Sequence, residues 1–217
     1  FLRMRTVESV LVFGGTFDPV HHGHLIAAQR AMELTGASRV VFVPARRSPH
    51  KAEVDAGASG EQRLAMLRLA LAEGEEGRRA GADTRFSVDG RELARAGPSY
   101  TFDTVEEMLR EHVCRLMLLI GADQLAKLHT WHRVRALLER VEVAVLARGA
   151  ETEAGLAAVR EHLGEAHAER IRSHLLDTPL IEISATEVRA RARSGLPIEY
   201  LVPATVAACI RKQALYR

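Results

Sequence analysis

Short runs of consecutive apolar residues alternate along this chain with longer stretches in which apolar residues recur every three or four positions. That is the pattern of buried strands alternating with amphipathic helices. Val10, Leu11, Val12 and Phe13 form the first run, which ends abruptly at Gly14 and Gly15. Further strands are expected at 39–44, 84–88, 116–120, 141–146 and 180–183. Helical spacing appears at Leu25, Ala28 and Met32, then at Leu64, Leu67 and Leu71, where Ser59 and Gln62 stand as a capping box and glycines 74, 77 and 81 break the helix. It returns at Val105, Met108 and Leu109, and again from Gln124 through Leu125, Leu128, Trp131 and Leu137. Residues 151–169 read as a charged, solvated outer helix. Ser184 and Glu187 form a second capping box before a helix carrying Arg189, Arg191 and Arg193, and a last helix covers 204–215.

Strand, helix and strand joined by short connections make a βαβ unit, whose crossover is right-handed and whose strands are parallel. Repeated along the chain, it predicts an α/β fold: a doubly wound, Rossmann-like, mostly parallel sheet with helices on both faces. A single domain over 1–217 is expected, with 183–217 as a C-terminal helical part packing on the sheet.

Composition narrows the class. The chain has 217 residues, 47% of them hydrophobic and 27% charged, as in an ordinary soluble globular protein. A formal net charge of +2 argues against a broad nucleic-acid-binding face while allowing a local anion pocket. Cys114 and Cys209 are far apart and have no ligand-like spacing, so two free buried thiols in a reducing cytoplasm are expected. No apolar run approaches the roughly 18 residues of a membrane span. No secretory signal is visible before residue 10, and synthesis is expected to begin at Met4.

The candidate chemistry is concentrated where the first strand gives way to the first helix. His21, His22 and His24 fall at or just before that helix's first turn, where unpaired backbone N–H groups and the macrodipole favour an anion. Imidazole adds further donors to phosphate oxygens. A lone histidine there would read as a surface or capping residue; three in four positions after a glycine turn favour a phosphate site. His21 and His24 share a helical face, but with no third ligand at familiar spacing a protein-held metal is not expected. Asp123 follows Gly121 at the end of an apolar strand, as a ribose contact or as a helix N-cap. Arg189 lies one turn into a helix that itself follows an expected strand, a second phosphate cradle. Ser48, Pro49, His50 and Lys51 lie in a polar loop over 46–60, after another strand end.

The stretch GGTFDPVHHGH resembles the signature of the HxGH nucleotidyltransferases, here His21-His22-Gly23-His24. SPHK at 48–51, PSYTFDTV at 98–105, GADQLAKLHTW at 121–131 and ISATEVR at 183–189 extend the likeness, in an order similar to the bacterial nicotinate-nucleotide adenylyltransferases. Ser48, Val105 and Ala185 depart from the usual pattern without removing a functional group. The resemblance implies transfer of AMP from ATP to nicotinate mononucleotide, giving deamido-NAD and pyrophosphate in NAD biosynthesis. It implies catalytic roles for His21, His24 and Arg189. ATP contacts are implied at Gly14, Thr16, Phe17, Gly121, Asp123 and Ser184, besides those three. Lys51, Thr101 and Trp131 are implied on the acceptor side, where Trp131 is balanced between stacking on the pyridine ring and simple core packing. Asp103 is a substrate contact or a helix cap. Mg²⁺ would enter bound to the phosphates. The implied partners are these two substrates, with no nucleic acid and no membrane; a homo-oligomer is compatible with the sequence. A phosphopantetheine adenylyltransferase would carry threonine where His21 stands, and a cytidylyltransferase an RTEGIS-like stretch where residues 180–184 read LIEIS.

Overall fold

The computed structural model describes residues 8–46, 57–76, 85–111 and 114–217. Its strands are β1 (Ser9–Gly15), β2 (Arg39–Pro44), β3 (Phe86–Val88), β4 (Arg115–Gly121), β5 (Glu142–Leu146) and β6 (Leu175–Leu176). They form one parallel sheet in the order β3-β2-β1-β4-β5-β6, the doubly wound order expected from the alternating pattern. The described helices are α1 (His22–Thr35), α2 (Gly60–Glu76), α3 (Arg91–Ala94), α4 (Thr101–Glu111), α5 (Ala122–Leu125), α6 (Val134–Arg140), α7 (Gly149–Leu163), α8 (Glu165–Arg172), α9 (Ala185–Arg193) and α10 (Ala204–Lys212), with a 3₁₀ turn at Leu128–Thr130. None of them is long and apolar enough to cross a membrane.

The chain divides into two compact units. The first holds Phe1–Phe13, Arg30–Val40 and Tyr100–Thr178; the second holds Gly14–Gln29, Val41–Ser99 and Pro179–Arg217. In the first, β4 is apolar along its whole interior because both of its faces are covered, the usual state of a strand inside a parallel sheet. Its neighbours keep strict register, with Val10 opposite Leu116 and Val12 opposite Leu118 on one side, and Leu118 opposite Val143 and Ile120 opposite Val145 on the other. Gly155 of α7 lets α5 lie close, since a Cβ there would stand 2.8 Å from Leu125 Cγ.

In the second unit, Phe42 of β2 is fully buried and meets the Phe17 ring edge-on at 5.6 Å between centroids. The capping box expected at the start of α2 is present in both directions: Gln62 N–H donates to Ser59 Oγ at 3.2 Å, and Ser59 N–H donates to Gln62 Oε1 at 2.8 Å. α10 packs against α2, joined by a bond from Gln62 Nε2 to Gln213 Oε1 of 3.1 Å.

Several local expectations are corrected. Residues 180–183 are not a strand; the last strand is β6, and 177–184 carry no regular structure, with Leu180 66% exposed. Leu180, Ile181, Glu182 and Ile183 imitate a half-buried strand, and Ile181 and Ile183 are indeed half-buried, but no described strand pairs with them. The helix expected over 151–169 breaks at Gly164, whose φ of 102° no L-residue adopts comfortably, into α7 and α8. It is not merely an outer helix either, because Thr152, Leu156, Val159 and Leu163 are buried. The helix expected from Gln124 to Leu137 becomes α5, the 3₁₀ turn and α6, with Arg133 left-handed at φ 53° just before α6. Gly74 does not break α2, which runs on to Glu76. The last helix ends at Lys212 rather than 215. Both cysteines are free thiols, but only Cys209 is buried.

Candidate active site

The turn after β1 carries the histidine motif on a tightly held loop. Phe17 takes a left-handed backbone, φ 51°, and its ring is 2% exposed. A Cβ at Gly15 would meet that ring at 2.9 Å, so the glycine makes room for the phenyl group to fold back under its own loop. Gly14 is exposed, and a side chain there would meet nothing within 4 Å. Phe17 therefore belongs to the core, touching the His24 ring edge-on at 5.1 Å, while its backbone and that of Thr16 shape the loop.

His21 opens α1. Its carbonyl accepts from His24 N–H at 3.0 Å, and its own N–H donates to His24 Nδ1 at 3.3 Å. The pair is reciprocal in the manner of a capping box, with imidazole in the place usually taken by Glu or Gln. Because His24 Nδ1 accepts, its proton sits on Nε2 in the neutral ring. The two rings stack at 3.7 Å between centroids, 28° from parallel. His21 is 5% exposed, and its Nδ1 is buried with no hydrogen-bond partner. Burial, helped by the neighbouring His22, lowers its pKa to about 4. The ring is thus a neutral imidazole at physiological pH.

Gly23 explains how a second segment reaches this point. A Cβ there would lie 3.0 Å from His21 Nδ1 and 3.5 Å from the carbonyl oxygen of Ile183. The missing side chain lets residue 183 approach the histidine turn, and α9 starts immediately afterwards. Ser184 is its N-cap, Oγ accepting from Glu187 N–H at 3.1 Å, as the second capping box requires. Arg189 reaches back from α9, its Nη1 donating to the Asp18 carbonyl at 2.7 Å and its Nη2 to Thr186 Oγ1 at 3.3 Å. Gly14, Thr16, Phe17, His21, His24, Ser184 and Arg189 therefore all belong to the second unit, although α9 follows a segment without regular structure rather than a strand.

Thr101, Gly121, Asp123 and Trp131 lie in the first unit. Thr101 is the first residue of α4, whose opening carbonyl belongs to Tyr100, so Asp103 sits in the first turn and is not the N-cap. Gly121 is the N-cap of α5; Asp123 is exposed and accepts from Gln124 Nε2 at 2.6 Å. A Cβ at Gly121 would stand 2.5 Å from Asp123 Oδ1. Trp131 follows the 3₁₀ turn, partly exposed, its N–H donating to the Leu128 carbonyl at 3.0 Å. Beside it in sequence, His132 stacks on Tyr100 at 4.4 Å. Lys51 and the rest of SPHK lie outside the described residues.

Asp18, Arg63 and Tyr216 are absent from the sequence-level site. Asp18 Oδ1 accepts from Tyr216 Oη at 2.7 Å and from Ala58 N–H at 3.0 Å. Arg63, buried, donates to the Thr16 carbonyl at 2.6 Å. Asp18 stands inside the motif itself and could have been singled out there; no local pattern marks Arg63 or Tyr216.

Among the described residues no group of three or more His, Cys, Asp or Glu is arranged to hold a metal ion. What the site offers is a buried, neutral His21 stacked on a half-buried His24, two helix N-termini and an arginine, a donor set for phosphate.

The cytidylyltransferase-like family model matches residues 12–191, most of the chain and every element of this site except the segment after α9. The chain belongs to that family. Within it, similarity runs to proteins described as probable nicotinate-nucleotide adenylyltransferases. The one from Symbiobacterium thermophilum is 37% identical over 95% of this chain and 94% of its own length. That from Yersinia enterocolitica is 36% identical, with 95% and 94% covered. By family, then, the chain is a nicotinate-nucleotide adenylyltransferase, a nucleotidyltransferase of NAD biosynthesis. The fold agrees: the Plasmodium falciparum nicotinic acid mononucleotide adenylyltransferase complexed with NaAD superposes with a TM-score of 0.72 at 16% identity, covering 96% of this chain and 97% of that one.

Proposed function

We propose that this chain transfers the adenylyl group of ATP to nicotinate mononucleotide, releasing pyrophosphate and forming deamido-NAD. The observation that carries the reading is the neutral, buried His21 stacked on His24 beneath the start of α1, with α9's N-terminus brought alongside at Gly23.

In the reaction, a phosphate oxygen of the mononucleotide attacks the α-phosphorus of ATP. The new P–O bond forms as the bond from that phosphorus to the α,β-bridging oxygen breaks, and pyrophosphate leaves with the electron pair. No side-chain nucleophile is required, so the protein's work is positioning and charge stabilisation. His21 and His24 donate to the phosphates and stabilise charge developing at the α-phosphorus. Ser184 and Arg189 take the β- and γ-phosphates at the start of α9, where the helix dipole also favours anions. The backbone of Gly14, Thr16 and Phe17 lines the adenylate, and Gly121 and Asp123 meet a ribose. Lys51 takes the mononucleotide phosphate; Thr101 and Trp131 hold the nicotinate ring. Mg²⁺ would enter with ATP, held by its phosphates, and would supply charge neutralisation there, while His21, His24, Ser184 and Arg189 hold the phosphate oxygens themselves.

The test is pyrophosphate release with MgATP and, side by side, nicotinate mononucleotide, its amide and phosphopantetheine. Strong preference for the acid supports the reading. Turnover with phosphopantetheine overturns the acceptor assignment and leaves the phosphate site; no turnover with any acceptor overturns the activity.

A further inference from the structure

Asp18 accepts bonds from three distant parts of the second unit. Its carboxyl takes the Tyr216 hydroxyl and the Ala58 amide, and its carbonyl takes the Arg189 guanidinium. The preceding loop carbonyl, that of Thr16, is held by buried Arg63, which also donates through Nε to the Ala58 carbonyl at 3.3 Å. The loop that leads into His21 and the arginine of α9 therefore share one anchor.

Tyr216 reaches that anchor through a strained path. After α10 the chain turns back with Leu215 N–H donating to the Ile210 carbonyl at 3.0 Å, and both Ala214 and Tyr216 are left-handed, with φ of 51° and 64°. Left-handed backbone is unfavourable for L-residues and persists where the surroundings over-determine it. Here the outcome is a phenol ring only 5% exposed with its hydroxyl on Asp18. Burial, together with the charge and hydrogen bond of Asp18, pushes the phenol's pKa far above its ordinary value, so the hydroxyl is a donor at every working pH.

We infer that Tyr216 is a positioning residue for the phosphate site: by donating to Asp18 it fixes the loop before His21 and, through the Asp18 carbonyl, the guanidinium of Arg189. The inference rests on the reading of that site as one for MgATP. Tyr216 contacts no substrate in this account; its effect is transmitted by one carboxyl and one carbonyl of the same residue. Removing the hydroxyl leaves a part-buried carboxyl short of a donor and frees the loop, weakening both phosphate holds together.

Calorimetric titration with MgATP alone, and kinetics with saturating acceptor, test this in the full chain. Tyr216→Phe keeps the ring and deletes only the hydroxyl. It is expected to weaken MgATP binding and raise KM for ATP about tenfold, on the scale of a lost hydrogen bond to a charged group, with kcat changed less than threefold. Asp18→Asn keeps an acceptor oxygen for both donors and should stay within threefold of the wild type. Asp18→Ala should weaken binding at least as much as Tyr216→Phe, and the double variant Asp18→Ala/Tyr216→Phe should be no worse than Asp18→Ala alone. A Tyr216→Phe protein that melts earlier yet binds MgATP as tightly as wild type overturns the proposal, as does simple additivity in the cycle. If the wild-type chain does not bind MgATP, the reading of the site itself falls, an outcome distinguishable from either.

Discussion

The two units hold their candidate residues in different ways. In the second, His21 and His24 are stacked, His21 is buried, and the loop around them is tied by bonds spanning 171 residues to Arg189 and 198 to Tyr216. In the first, Asp123 is exposed and bonded to its own neighbour Gln124, beside the Gly121 that caps the short helix α5. The contrast follows from the chemistry proposed for each. Stabilising charge on a phosphate in transit demands donors fixed beforehand, because reorganising them during the reaction adds to the barrier. Recognising a ribose or a ring tolerates residues that settle on the ligand as it arrives. Substitutions of the phosphate-holding side chains themselves should therefore show large rate effects, and those at the ribose- and ring-facing residues of the other unit modest affinity effects.

The largest separation is expected from His24→Ala. Losing the ring removes a phosphate donor and the acceptor that holds the His21 N–H, so kcat should fall by roughly 10³-fold with the fold retained, measured by pyrophosphate release and circular dichroism. A fall of under tenfold would put the chemistry elsewhere.

Next comes pH. His21 is neutral when folded, with a pKa of about 4, and ordinary when unfolded, near 6.5. Between those values the unfolded chain binds more protons, so the contribution to stability is complete above pH 6.5 and is lost as pH falls towards 4, about 3 kcal/mol in all. Denaturant titrations at stepped pH should show that loss in the wild type and not in His21→Gln.

Gly23→Ala should be smaller in stability and specific in effect. Its methyl would press on His21 Nδ1 at 3.0 Å, so about 1–2 kcal/mol of stability and some tenfold of kcat should go together. The smallest effect belongs to the other unit: Asp123→Asn keeps an acceptor for a ribose hydroxyl and should change KM for ATP by less than about fivefold. An Asp123→Asn loss rivaling that of His24→Ala would erase the distinction between the two regions.

How far the chain could be read from its letters depended on how local each feature is. The apolar runs at 10–13, 39–44, 116–120 and 141–146 gave the sheet, since a strand buried on both faces needs no partner to be recognised. The capping boxes at Ser59 and Ser184 were legible because cap and amide lie three residues apart. Residues 180–183 misled because alternation reports the shape of a strand and not the presence of a neighbour. Gly164 was visible, but helical charge patterning on either side concealed the break. Asp18 stood in the motif without its role being readable, since its partners are Ala58, Arg189 and Tyr216. The positions of His21, His24, Ser184 and Arg189 in one unit followed from the motifs; that His21 is buried and neutral followed only from what surrounds it.

The most direct test of the central claim is NMR titration of the histidine ring protons with and without saturating MgATP. The free protein should show His21 titrating near pH 4, and MgATP should raise that value by more than one unit while shifting the His21 and His24 signals and sparing the His129–His162 stack in the other unit. A His21 that titrates unchanged under saturating MgATP, in a protein that still releases pyrophosphate, would contradict the account.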